Sequence, residues 1–255
     1  MQKIRVMISG AGGHMGRTVA GIIASDALME IVAGVDVALP PDLDYPGFND
    51  PMDFQGAADV LVDFSSPAAL DALLRFAVTR KVPLVLCTTG FTGEHLDKIQ
   101  KASREVPIFR SGNMSLGINL LIELVKRATA VLGEGFDVEI VERHHRRKVA
   151  APSGTALMLA DAVAEAMPEH PEYVYDRQPR RTPRPGGEIG LSAVRGGTIV
   201  GDHEVIFAGL DEVIELRHSA YSREVFAVGA ANAAKFMAGV KNPGMYDMSD
   251  MLANR

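Results

Sequence analysis

The stretch Ile4-Arg5-Val6-Met7-Ile8-Ser9-Gly10-Ala11-Gly12-Gly13-His14-Met15-Gly16 decides the fold. Ile4 to Ser9 is a short apolar run that reads as a buried strand, the glycines read as a tight turn, and Met15 to about Ser25 reads as a helix. Glycines allow close backbone approach, and amides at a helix N-terminus favour an anion. A dinucleotide pyrophosphate would therefore sit on this turn. The spacing is G-x-x-G-x-x-G through Gly10, Gly13 and Gly16, because Met15 holds the last glycine position of the strict G-x-G-x-x-G. Asp36 follows the next strand, 20 residues after Gly16, where its carboxylate can accept hydrogen bonds from the adenosine ribose. Neither Asp36 nor Val37 can pair with a 2′-phosphate, and no Lys or Arg lies between Thr18 and Leu74. These residues favour NADH over NADPH.

Outward from the turn, short apolar strands alternate with amphipathic helices. Strands are expected at Ile31–Val35, Val60–Phe64, Pro83–Cys87 and Val106–Phe109, with helices from Pro67 to about Thr79 and from Thr92 or Gly93 to about Ser103. That alternation predicts a parallel sheet covered on both faces, a Rossmann-type α/β domain. Cys87-Thr88-Thr89 and Ser111-Gly112-Asn113-Met114 fall at the C-terminal ends of two of these strands, the edge where ligands bind.

The pattern changes after residue 115. A helix is expected at Ile118–Leu132, a strand at Asp137–Arg147, a helix at Thr155–Met167 and an exposed loop at Pro168–Pro185. Strands at Glu188–Val194, Thr198–Phe207 and Glu212–Ser219 and a helix at Arg223–Ala238 complete the chain before a packed tail at 242–248. This is an α+β domain with a mixed or antiparallel sheet. The expected division is 1–115 with 226–255 as the dinucleotide domain and 116–225 as an inserted domain.

Composition agrees with a globular chain. With 255 residues, 47 % apolar, one to two domains can be buried, and disorder or a fibrous repeat is excluded. The net charge of −6 leaves no basic excess for nucleic acid. A lone cysteine, Cys87, fits a reducing compartment. With no leader pattern and no bilayer-length apolar run, a soluble cytoplasmic protein without membrane contact is expected. No metal ligands are assigned. Ten acids scattered from Asp26 to Asp71 read as solvated surface charge.

The most informative segment is Glu142-Arg143-His144-His145-Arg146-Arg147-Lys148-Val149-Ala150-Ala151-Pro152-Ser153-Gly154-Thr155. Four fixed positive charges and two histidines fill positions 143–148. If the strand continued, His144, Arg146 and Lys148 would share one face. Ser153-Gly154-Thr155 caps the next helix and forms a second anion site. Together they predict a small dicarboxylate ligand beside a group that exchanges protons near neutral pH.

This segment closely resembles the signature of the 4-hydroxy-tetrahydrodipicolinate reductase family. Gly10–Gly16, Val62-Asp63-Phe64-Ser65, Thr88-Thr89-Gly90-Phe91, Asn113-Met114-Ser115-Leu116-Gly117 and Val194-Arg195-Gly196-Gly197 agree in order. The resemblance implies that His144 is the proton donor or acceptor and Lys148 the second proton donor. It implies substrate contacts at His145, Gly154 and Thr155, to which the helix-cap reading adds Ser153. It implies cofactor contacts at Gly10, Ala11, Gly12, Gly13, His14, Met15, Asp36, Cys87, Thr88, Thr89, Ser111, Gly112, Asn113 and Met114. It further implies hydride reduction by NADH or NADPH in lysine and diaminopimelate biosynthesis, and a homotetramer. Cys87, His14 and Val37 depart from residues common in the family, the last two at positions linked to 2′-phosphate binding.

Overall fold

The computed structural model describes residues 2–254 and divides into two compact units. One comprises the residues up to Met114 together with those from Glu224 onward; the other is Ser115–Arg223.

In chain order the first unit contains β1 (Ile4–Ser9), α1 (His14–Ala24), β2 (Met29–Val35), β3 (Gly47–Phe48), β4 (Val60–Asp63), α2 (Leu70–Arg80), β5 (Leu84–Leu86), α3 (Gly93–Ala102) and β6 (Pro107–Arg110). The second contributes α4 (Leu116–Leu132), β7 (Asp137–His144), α5 (Gly154–Ala166), β8 (Glu172–Val174), β9 (Glu188–Arg195), β10 (Gly201–Ala208) and β11 (Val213–Ala220). The chain then returns to the first with α6 (Glu224–Gly239), β12 (Gly244–Tyr246) and α7 (Met248–Ala253).

The first sheet is parallel throughout, in the order β12-β6-β5-β4-β1-β2-β3. Its central strands are near-continuous apolar runs, as burial on both faces requires. Met7, Leu61, Leu73, Phe76, Leu84 and Ile108 belong to one fully buried cluster. Helix α6 lies against α1 and the central strands, and its Ala227, Ala230, Ala233 and Ala234 are fully buried. Small side chains let it come close. A Cβ at Gly229 would lie 1.6 Å from the Met114 carbonyl oxygen. The tail read as merely packed contributes an edge strand: β12 pairs with β6, and Asp247 caps α7.

The second sheet is mixed, in the order β11-β10-β7-β9-β8. β7 pairs antiparallel with β10 and parallel with β9. α4 and α5 supply Ile118, Val125, Leu159 and Val163 to a buried core with Ile140, Ile189, Val205 and Phe207 of the sheet.

Three expectations need correction. The strand read through Arg147 ends at His144, opposite Arg195 where β9 also ends; beyond it Gly196 N–H still donates to the His144 carbonyl and Arg146 N–H to the Gly197 carbonyl, but Gly197, at a φ of +48°, leaves extended geometry. The loop expected at Pro168–Pro185 contains β8 and is pinned rather than free. Arg177 and Arg180 both ion-pair with the buried Glu188, and Arg184 reaches Asp137 and Glu139. This second basic cluster therefore neutralises acids of its own unit. Five of the ten scattered acids are also paired: Asp26 with Lys235, Asp42 with Arg17, Asp50 with Arg75, Asp59 with Arg5 and Asp71 with Lys98. A sixth, Asp63, is buried.

Gly229→Ala should destabilise the first unit by about 3 kcal/mol, since a backbone carbonyl cannot yield as a side chain can. Urea unfolding measures this, and an unchanged midpoint would contradict the packing. The Arg177 guanidinium holds Glu188 below the usual carboxylate range. Its contribution is therefore present above the carboxylate's unfolded pKa and lost as pH falls through the lower folded value. Amide hydrogen-exchange protection over 177–184 should fall over that acid range, and tryptic cleavage there should be faster in Glu188→Gln than in the parent at neutral pH.

Candidate active site

In the first unit the C-terminal ends of β1, β2 and β4 meet around the glycine turn. Gly10 and Ala11 N–H both donate to the Val35 carbonyl, at 2.8 and 3.2 Å. Gly10 has a φ of +78°, and a Cβ there would lie 2.6 Å from the Phe64 carbonyl oxygen. A Cβ on Gly16 would come within 2.0 Å of the Gly10 carbonyl oxygen, so α1 can start this close to the turn only with glycine. At Gly12 the obstacle would be the Ala38 carbonyl, 2.8 Å away. Asp36 follows β2, and its Oδ2 accepts from Gly12 N–H at 2.9 Å. The carboxylate thus shapes the turn and retains lone pairs for further donors. This cradle fits a dinucleotide.

Cys87 follows β5, and its N–H donates to the Asp63 carbonyl. Burial pushes its thiol well up and the Asp63 carboxylate adds to this, so the thiolate is disfavoured. Thr88 and Thr89 follow. Beyond β6, Ser111 Oγ donates to the Asn113 carbonyl at 3.0 Å, and Met114 is buried.

The second unit holds a denser polar cluster. Glu142, fully buried near the end of β7, accepts from His144 Nδ1 at 2.6 Å, from Arg195 Nη1 and Nη2 at 2.7 Å each, and from Ser153 N–H at 3.0 Å. Burial alone would push this carboxyl up. The Arg195 guanidinium and His144 outweigh it and hold Glu142 below the usual carboxylate range. Burial pushes His144 down, opposed by Glu142 and reinforced by Lys148 and Arg195. His203 on β10 stacks edge-on against His144 at 5.1 Å, and its Nε2 lies 2.9 Å from Ser153 Oγ. Burial first, then His144, pushes His203 down to about 4, so it is neutral near pH 7.

His144 and Lys148 do not share a strand face. After His144 a turn begins, closed by Lys148 N–H donating to the His145 carbonyl at 3.0 Å. Arg146 and Arg147 are exposed, and Lys148 and His145 are half-buried. Ser153 caps α5 as expected, its Oγ accepting from Ala156 N–H. It faces inward, however: it is buried, its N–H is committed to Glu142 and its hydroxyl to Ala156 and His203. The accessible part of this helix N-terminus is Gly154 and Thr155. Sequence reasoning gave no role to Glu142, Arg195 or His203. Glu142 and His144 at i, i+2 on a strand share a face, which is the one local signal that could have paired them. The partners from β9 and β10 needed the sheet register.

Among the described residues, no helix is long and apolar enough to cross a membrane. The family model for the N-terminus of dihydrodipicolinate reductase matches residues 4–114, and that for its C-terminus matches 117–252. The chain is 53 % identical over 249 residues to the 4-hydroxy-tetrahydrodipicolinate reductase of Caldanaerobacter subterraneus subsp. tengcongensis, covering 98 % of each chain. It is 47 % identical to the enzyme of that name from Clostridium tetani, over 98 % of this chain and 97 % of the relative. A dipicolinate-bound dihydrodipicolinate reductase from Paenisporosarcina sp. TG-14 superposes with a TM-score of 0.80 at 25 % identity, over 96 % of this chain and 98 % of that one. With both family models matched in order and these relatives covered almost end to end, the chain belongs to the dihydrodipicolinate reductase family.

Proposed function

We propose that this protein reduces the dehydrated form of 4-hydroxy-tetrahydrodipicolinate to tetrahydrodipicolinate with a nicotinamide cofactor, a step of lysine and diaminopimelate biosynthesis. The observation that carries this reading is the cluster at the end of β7. It sets a proton-exchanging imidazole beside a basic turn and a helix N-terminus, in a chain of this family. Glu142 orients His144 from below. Lys148 is a second proton source on the turn, and Gly154 and Thr155 offer the helix N-terminus to a carboxylate, with His145 assisting. Ser153 supports this surface from beneath without touching ligand.

In the first unit the Gly10–Met15 turn would hold the pyrophosphate and Asp36 the adenosine ribose, while the residues after β5 and β6 would line the nicotinamide end. Bound cofactor supplies the hydride. NADH is the reading that the cradle favours. Arg17 is engaged by Asp42 at 3.6 Å and Arg75 by Asp50 at 2.6 Å, so both nearby arginines have acidic partners. We assign cofactor binding to the first unit and substrate binding to the second. Copies would assemble as a tetramer through the second unit in the cytoplasm.

Consumption of NADH with freshly made pathway substrate tests the reading directly. Turnover should be lost by about 100-fold or more in His144→Gln and in Lys148→Ala, with NADH affinity within twofold of the parent. Full activity in both would refute the assignment. Asp36→Ala should weaken NADH by about tenfold, the equivalent of ~1.4 kcal/mol. NADPH binding tighter than NADH in the parent would overturn the cofactor reading. Because burial lowers His144, its proton-donating form is lost as pH rises through that depressed value, so kcat/KM should fall with rising pH and the falling limb should vanish in His144→Gln.

A further inference from the structure

We propose that Glu142 is a positioning residue that dictates which ring nitrogen of His144 carries the proton, with Arg195 as the cation that keeps Glu142 ionised for this task. The inference rests on the reading that His144 exchanges a proton with substrate.

A carboxylate can only accept hydrogen bonds. Glu142 Oε2 lies 2.6 Å from His144 Nδ1, so Nδ1 carries the hydrogen. Nε2 is then left to take up, and later hand over, the exchangeable proton. The opposite tautomer would set a bare Nδ1 lone pair against a buried anion. Two hydrogen bonds from Arg195 and one from Ser153 N–H saturate the carboxylate, so it cannot rotate away from the imidazole. Arg195 is fixed in turn by donating to the Val194 and Ala150 carbonyls. The first of these comes from β9 itself and the second from the segment leading to α5. The carboxylate therefore ties three elements to one imidazole: β7 through its own backbone, β9 through Arg195 and α5 through Ser153.

The charged and titratable groups facing His144 are few. Glu142 raises its affinity for a proton, while Arg195 and Lys148 lower it. His203, on β10, is held neutral. Glu142 is the one anion in the set, so removing its charge shifts His144 in one direction only.

Nitrogen-15 NMR of the histidine-labelled full-length enzyme reads the tautomer without any variant, with His144 assigned from the signal missing in His144→Gln. The Nδ1–H form is expected at neutral pH, and the Nε2–H form would overturn the proposal. The second test is Glu142→Gln. An amide offers one acceptor oxygen where the carboxylate offers two, so it cannot serve all four donors, and it carries no charge. Turnover should fall by about 100-fold, the falling limb of kcat/KM against pH should move to lower pH, and binding of NADH and of pyridine-2,6-dicarboxylate should stay within about threefold. Unchanged turnover and limb would overturn the proposal, as would lower turnover with an unmoved limb, which marks a purely structural role. If Glu142→Gln does not fold, the tautomer measurement on the parent decides alone. Should His144→Gln keep full turnover, the catalytic reading fails, whereas the tautomer result still reports on Glu142 by itself.

Discussion

The second unit is organised around one buried anion. A carboxylate removed from water costs several kcal/mol unless it is fully partnered. Glu142 has four donors drawn from an imidazole, a guanidinium and a backbone amide. Those donors come from separate strands and from the start of a helix, so satisfying the charge requires β7, β9 and α5 to meet in one register. The apolar core already demands one register, since a one-residue slip of β9 would turn Ile189 and Leu191 off the core face. The charge sharpens that demand, because a one-residue shift in β9 withdraws Arg195 and with it two of the four hydrogen bonds and the guanidinium charge on Glu142. Stability and chemistry thus share a single constraint.

The first unit solves a different problem, close approach, and solves it by omitting side chains. Gly10, Gly12 and Gly16 leave the space in which strand ends and helix start converge, and Asp36 closes the arrangement with a bond to Gly12. Packed against α1 and the central strands, the alanine-rich α6 repeats the strategy where Gly229 meets Met114.

Much of this was legible in the chain. The strand–turn–helix at its start and the apolar runs from Val60, Pro83 and Val106 carry strong local signals. Each is a short β-rich stretch bounded by turn residues, and their alternation with helices leaves little choice but a parallel sheet. The two-residue β3 and the three-residue β12 were not readable, because so few residues carry no periodicity and pair only where an edge is already present. The basic turn misled in an instructive way. His144, Arg146 and Lys148 alternate as a strand would, yet the strand stops at His144 where its neighbour also stops, and no local property of residues 145–148 records where β9 ends. Ser153 shows the same limit. Its capping role is local and was readable, but its inward commitment depends on Glu142 and His203, 11 and 50 residues away. The pairing of Arg177, Arg180 and Arg184 with acids of β7 and β9 likewise emerges only from the sheet.

The return of the chain to the first unit bears on how the molecule is made. Synthesis proceeds from the N-terminus, and Ser115–Arg223 is a contiguous unit whose residues have all been joined before Glu224 is added. The first unit still lacks α6, which covers one face of its central strands, and β12, which shields the β6 edge. Such a nascent chain therefore carries an unfinished apolar sheet at a stage when every residue of the second unit has been joined. The segment from Glu224 onward acts as a late closing piece, and the cofactor cradle reaches its finished surroundings only after that segment has been made.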